Sequence, residues 1–299
     1  MNKNKHYAAA VSAFVVWGFL PLVLKTLAGH SAGEILYFRI FFSVIILVFL
    51  VTVVRRQRLK NDITLFRSST RPDKIKAALL WLAGGLLLTI NWLTFIHTVN
   101  EINIRTASFS YLICPVLTAV LGYIVLKERL SRTQWVAVAL CALSCAMMGL
   151  SSISELGFSV VTAITYALYL ILQRLYKEYD RMTVLCMQIL FSFTLLNIFS
   201  GFLIDTLPDD PKFYLITILI AAMFTVLPLF LNLFAMMRIN SATVGILMYI
   251  NPIVNFIIAF TVFGEQVTQL QVIGYSVIAI ALVIFNYPNF RKLQAAVRA

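Results

Sequence analysis

The sequence predicts an all-α membrane protein of ten transmembrane helices, arranged as a five-plus-five inverted-topology repeat with both termini cytoplasmic. Three observations predict it. The 299-residue chain is 61% hydrophobic and 12% charged, with a mean hydropathy of +0.91. An ordinary soluble domain is ~45–50% apolar and ~25% charged, so this one cannot bury its apolar surface in water. The sequence also repeats itself: Pro115 and Glu128 return as Pro252 and Glu265, both displaced by 137 residues. Finally, most Lys and Arg residues fall on alternate connections, as the positive-inside rule requires.

The elements follow in order. Apolar stretches at about 7–27, 34–54, 76–98, 104–126, 132–150, 156–176, 182–204, 213–236, 242–263 and 269–287 each approach the ~20 residues that cross the hydrocarbon as a helix. The leading Met1-Asn-Lys-Asn-Lys run resembles a signal peptide. The apolar stretch behind it is too long, lacks a clear A-x-A site and is needed to complete the first repeat, so it reads as span 1. With the N-terminus inside, 20 of the 24 basic residues fall on inside segments; the exceptions are Lys25, Arg39, Arg105 and Lys212. The acidic 205–212 loop falls outside. Five helices per half is an odd number, so the halves, 1–150 and 151–299, are inverted relative to one another. The match extends to Asn103–Thr106 against Asn240–Thr243, and to Ser131-x-x-Gln134 against Thr268-x-x-Gln271. The repeat offset is larger early in the chain (Ser12 against Thr162) because the basic 55–75 loop is longer than the 205–212 loop.

Pro115 and Pro252 stand at the centres of spans 4 and 9. A mid-helix proline removes one backbone hydrogen bond and crowds the carbonyl four residues back, here Tyr111 and Met248. In lipid, such a carbonyl is tolerated only when buried in protein or lining a polar cavity. The two prolines therefore mark cavity walls or hinges, or else kinks that shape packing. Glu128 lies 13 residues past Pro115, ~20 Å along a helix and so at the membrane face. Glu265 is its counterpart. Each precedes a capping box (Ser131/Gln134, Thr268/Gln271) and reads as a turn residue, or as half of a gate ion pair, for Glu128 with Arg129 or Arg132.

Polar side chains at membrane depth are costly and point to function. Arg39 lies inside span 2, where Glu34 is a possible partner; it is either an anchor or a contact for an anion. Asn91 and Trp92 fall in span 3, with His97 nearer its outer end. Asn232 falls in span 8, and Asn251 and Asn255 flank Pro252. Trp17, Trp92, Tyr111, Tyr166, Tyr169 and Tyr249 lie away from the interfaces, where an aromatic belt does not account for them. They are core residues or the walls of a site for an amphipathic or cationic solute. The expected solute contacts are thus Trp17, Arg39, Asn91, Trp92, Tyr111, Tyr166, Asn232, Tyr249 and Asn251. Pro115, Pro252, Glu128 and Glu265 are the expected hinge or gate positions.

Some classes are disfavoured. No Asp or Glu lies deep in a span, so a central carboxylate proton relay has no support. No Walker motif, H-E-x-x-H or G-x-S-x-G occurs, which argues against direct ATP use and against an enzyme. Cys114, Cys141, Cys145 and Cys186 show no metal or redox spacing and read as packing residues. No cofactor and no metal is expected. The net charge of +12 reflects loop topology rather than nucleic-acid binding. The expected partners are a bilayer and a small-molecule solute.

These residues resemble the EamA/RarD branch of the drug/metabolite transporter superfamily over nearly the whole chain. The stretches that carry the likeness are Trp17-Gly18, Glu34-Ile35-Leu36 with Arg39, Asn91-Trp92-Leu93-Thr94-Phe95 and Val99-Asn100. With them go Ala107-Ser108 through Pro115 to Glu128-Arg129, Thr225-Val226-Leu227-Pro228-Leu229, and Tyr249-Ile250-Asn251-Pro252. The resemblance implies a central cavity lined by spans 1, 3, 4, 6, 8 and 9. It also implies export or exchange of small metabolites, including amino acids and sometimes drugs, across the inner membrane. The first-span glutamate of the four-helix relatives is missing, which argues against their proton antiport. The deep basic residues of sugar-phosphate relatives are absent from spans 8 to 10, which disfavours phosphorylated substrates. The reading is a secondary transporter working by alternating access. An uncoupled facilitator, or a membrane enzyme or assembly factor, is the alternative.

Overall fold

The structure, a computed structural model, describes residues 3–102, 104–148, 153–175, 178–204, 207–262 and 268–298. Among these there are helices and no strand. The chain runs through α1 (Lys3–Gly18), α2 (Leu20–Lys25), α3 (Ala32–Phe49), α4 (Arg56–Ser68), α5 (Arg71–His97), α6 (Ile104–Leu126), α7 (Arg132–Met148) and α8 (Ile153–Leu175). It continues through α9 (Arg181–Ile198), α10 (Ser200–Leu203), α11 (Pro211–Leu219), α12 (Leu227–Met236), α13 (Ser241–Leu247), α14 (Ile250–Thr261) and α15 (Gln269–Arg298). π-helical turns extend α3 (Leu50–Val54) and α5 (Thr98–Ile102), and a third joins α11 to α12 (Ile220–Val226).

Seven helical stretches among the described residues are long and apolar enough to cross a membrane. Arg132–Met147 and Val272–Tyr287 are apolar but shorter. The expected ninth span is present as two pieces, α13 and α14, separated at Met248 and Tyr249. Large apolar side chains such as Phe49, Ile124, Ile198, Leu215 and Val283 lie exposed on the outer surface of the bundle. That arrangement is costly in water and favourable in lipid.

Helix starts follow local chemistry. Ser31 and Glu34 form a reciprocal capping box at α3, and Ser131 with Gln134 does the same at α7. Thr70, Asp180, Asp210 and Asn240 cap α5, α9, α11 and α13 through side-chain oxygens that accept backbone N–H groups. Gln271, the partner in the second expected capping box, lies outside the described side chains. The long basic loop contains the short amphipathic helix α4, tied down where Asp62 accepts the Asp180 N–H at 3.2 Å.

The packing partners exchange between halves. α1 packs on α12 and α14, while α8 packs on α5 and α6. The helices expected as the first span of each half thus lie against those expected as the third and fourth spans of the other. α6 meets α13, and α7 meets α15. Two glycines let these crossings close. A Cβ on Gly18 would stand 2.6 Å from Val254, and one on Gly245 would stand 2.9 Å from Thr118, both inside van der Waals contact.

Candidate functional site

The crossings enclose a cavity at the centre of the bundle. α1 gives it Trp17, α2 Leu20, α3 Arg39, α5 Trp92 and Phe95, α6 Tyr111, and α8 Tyr166. Met248 and Asn251 enter from the break between α13 and α14. Its volume is about 20 Å³, where a single water needs ~10–15 Å³. The space has room for roughly one water.

Arg39 is 1% exposed. Its Nε donates to Thr225 Oγ1 at 2.6 Å, and Nη2 donates to the Phe224 carbonyl at 3.3 Å. Its guanidinium lies over the Trp92 ring, 4.7 Å from the centroid, in cation–π geometry. The acceptor carbonyl has a local cause. Pro228 has no N–H to offer the carbonyl four residues back, which is Phe224, and the chain there adopts the π-helical turn Ile220–Val226. Side chains from two other helices fill the gap: Trp17 Nε1 donates to the same carbonyl at 2.9 Å, beside Arg39. The expected pairing of Arg39 with Glu34 does not form. The capping box holds Glu34 at the start of α3, where His30 Nδ1 stands 3.6 Å from its carboxylate.

The remaining wall is aromatic. Tyr166 meets Trp17 and Tyr111 edge-on, with centroids 6.0 and 6.2 Å apart, and Tyr111 leans on Phe95 at 5.2 Å. Asn232 Nδ2 donates to the Tyr166 hydroxyl at 2.9 Å from behind, which fixes the ring. At the break, the Asn251 N–H donates to the Met248 carbonyl at 3.0 Å. The expected free carbonyl at Met248 is therefore capped within its own turn. Asn255 Nδ2 donates to Asn251 Oδ1 at 3.0 Å and orients that amide.

Six of the nine residues expected to contact solute line the cavity: Trp17, Arg39, Trp92, Tyr111, Tyr166 and Asn251. Three do not. Asn91 points to α8, donating to the Thr162 carbonyl at 2.8 Å. Asn232 stands behind Tyr166. Tyr249 is fully buried and donates its hydroxyl to the Leu112 carbonyl at 2.9 Å, joining α13–α14 to α6 one turn before Pro115. Leu20, Phe95 and Met248 also line the cavity; of these, only Met248 was expected near it, for its carbonyl. Phe95 follows from Trp92 by helical spacing, three residues along one face.

Pro115 sits inside the continuous helix α6, whereas Pro252 follows a true break. Glu128 does not pair with Arg129 or Arg132. Lys127 turns the chain with φ 53°, and Glu128 then accepts from the Ser241 N–H, the Ser241 hydroxyl and the Ala242 N–H at 3.0, 2.7 and 3.2 Å. It thereby anchors the N-terminus of α13, where negative charge is favoured. Arg174 Nε stands 3.5 Å away, and its Nη1 donates to the Met236 and Ile239 carbonyls at 2.7 and 3.2 Å. One network thus ties α6 and α8 to α12 and α13. Glu265 lies outside the described residues. At the opposite end an open hollow of about 480 Å³ is lined by residues including Ser31, Thr94, His97, Glu101 and Phe158. Trp92 and Phe95 face the cavity and Thr94 and His97 face the hollow, so little more than one turn of α5 separates the two.

The description of EamA-like transporters matches residues 4–150 and again residues 154–287. The chain belongs to the EamA-like transporter family. An uncharacterized transporter of Vibrio cholerae is 32% identical over 302 residues, covering 100% of this EamA-like chain and 97% of its own. Protein RarD of Escherichia coli is 27% identical over 282 residues, 92% of each chain. A solved crystal structure superposes with a TM-score of 0.73 at 13% identity, over 94% of this chain and 97% of its own; a likeness at that identity shows the fold alone. The EamA-like assignment agrees with the apolar helices in placing the chain in a membrane, which it crosses several times.

Proposed function

We propose that this chain is a secondary transporter of the inner membrane, moving a small organic metabolite, an amino acid or an amphipathic drug-like solute, by alternating access in export or exchange. It crosses the bilayer ten times as two inverted five-helix repeats, 1–150 and 151–299, with both termini in the cytoplasm. The observation that carries this reading is the central cavity. It lies where helices of both halves meet, and it joins one buried cation to an aromatic wall and an asparagine at a broken helix. Sites of this kind at repeat interfaces are where carriers bind. The exchanged packing of α1 and α8 supports the repeat.

The geometry corresponds to a state closed around the site. The Glu128–Arg174–Ser241 network closes the end that carries most of the basic connections, and the hollow beside His97 and Glu101 approaches from the other end. Opening toward the basic side requires Glu128 to release α13. Trp17, Arg39, Trp92, Tyr111, Tyr166 and Asn251 are the proposed solute contacts. Asn91, Asn232 and Tyr249 hold the wall that presents them.

The test is uptake and counterflow of a radiolabelled amino-acid panel in proteoliposomes, with and without a pH gradient. Saturable counterflow of one compound, lowered by Asn251→Leu in folded protein, is the expected result. Flux that neither saturates nor shows counterflow would indicate an uncoupled facilitator. Complete absence of flux, extended to amines and drug-like solutes, would contradict transport.

A further inference from the structure

The central cavity contains a positive charge whose counter-charge the described residues do not provide. The ion pairs among the described residues are His30–Glu34, Arg55–Asp180 and Arg174–Glu128, and none includes Arg39. The partners Arg39 does have are neutral: a threonine hydroxyl, a backbone carbonyl and an indole face. Its Nη1 is buried and has no hydrogen-bond partner. A buried cation is normally paired with an anion and hydrogen-bonded throughout, because desolvation without compensation is expensive. Here three features of the fold hold the guanidinium in place: the π-helical turn presents Thr225, Pro228 cannot supply an N–H to the Phe224 carbonyl, and Trp92 covers one face.

We infer that the solute brings the missing charge: it carries a carboxylate, or an equally small planar oxyanion, that pairs with Arg39 at Nη1 while its apolar body lies among Trp17, Trp92 and Tyr166 as these rings part in the opened site. The inference rests on the transporter reading and names the substrate class of that site. An arginine fork held at Nε and Nη2 offers directional N–H donors suited to a carboxylate. An amine would meet a fixed like charge in a dry site, and that repulsion selects against it. A neutral solute would leave the guanidinium as uncompensated as it is in the closed cavity.

The test is binding to the purified, detergent-solubilised full chain. It uses benzoate against its neutral isostere benzamide and the cation benzylammonium, read by the fluorescence of Trp17 and Trp92. Saturable binding of benzoate, with benzamide and benzylammonium silent at the same millimolar concentrations, is the expected result. Arg39→Gln is expected to weaken benzoate at least about thirtyfold, as for removal of one partner of a desolvated charge pair, and Arg39→Lys to restore part of the loss. Binding of benzamide or benzylammonium as tightly as benzoate overturns the inference, as does absence of saturable benzoate binding. This comparison on the unaltered chain decides even if Arg39→Gln does not fold. Binding requires no flux, so the two readings fail separately. Benzoate binding without transport of any solute contradicts the transporter, and transport confined to solutes that carry no carboxylate or other oxyanion contradicts only the anion.

Discussion

Pro115 and Pro252 occupy the same position in the two repeats, yet the backbone around them differs. α6 runs unbroken through Pro115, while the chain before Pro252 leaves the helix at Met248 and Tyr249. The neighbours account for the difference. Beside Pro115, the Leu112 carbonyl, next to the Tyr111 carbonyl that the proline frees, accepts from the Tyr249 hydroxyl at 2.9 Å and from the Cys145 thiol at 3.2 Å, so donors from other helices brace the weakened turn. Before Pro252, the chain satisfies itself through tight turns, with the Tyr249 N–H on the Ile246 carbonyl and the Asn251 N–H on the Met248 carbonyl. Tyr249 and Leu112 are repeat equivalents, so one copy supplies the side chain that keeps the other copy helical. A duplicated proline marks a weak place in the backbone; what packs beside it decides between a continuous helix and a break.

This comparison can be broken most severely at Tyr249. Tyr249→Phe removes the hydroxyl and leaves a buried carbonyl with a poorer partner, so a loss of ~1–3 kcal/mol is expected. It would be read as a lower melting temperature in detergent. An unchanged melting temperature would mean that Cys145 and the helix's own ladder satisfy Leu112 without Tyr249. A smaller effect separates the prolines. Pro115→Ala restores an N–H within an already continuous helix, so melting and transport are expected to stay near those of the unaltered chain. Pro252→Ala lets the helix close across Met248, and a several-fold loss of counterflow is expected with little loss of stability. Equal effects of the two substitutions would contradict the asymmetry. A separate effect is expected at the gate. Glu128→Gln keeps one acceptor oxygen of two, so a donor on Ser241 or Ala242 loses its partner along with the charge beside Arg174, an expected cost of ~1–3 kcal/mol. Its signature is a shifted balance between open states; a double-mutant cycle with Arg174→Gln showing no coupling would exclude the pair.

The positions of weak backbone and of buried polarity were legible in the sequence. The prolines, Arg39 and the aromatic residues follow from apolar periodicity and cost at depth; Arg39, Trp17, Trp92, Tyr111 and Tyr166 converge on the cavity, while the prolines expected as its walls do not line it. Direction around a helix axis was less legible. Asn91 and Trp92 are adjacent and equally deep, but ~100° of helical rotation sends one to α8 and the other to the cavity. Long-range partners were not legible at all: Arg174 for Glu128, and Thr225 and the Phe224 carbonyl for Arg39, are set by how the halves dock. Two misreadings were avoidable from sequence. Ser31-x-x-Glu34 is a capping-box pattern that occupies Glu34. Pro228 also frees a carbonyl by the reasoning applied to Pro115 and Pro252.

The central claim is that the cavity at Asn251 opens to each face of the membrane in turn. Its most direct test is Asn251→Cys in a background without the four native cysteines, labelled with a membrane-impermeant maleimide from each face of oriented vesicles. Labelling from both faces is expected, with Glu128→Gln raising the rate from the face that carries Glu128. Labelling from one face only, unchanged by Glu128→Gln, would contradict alternating access through this site.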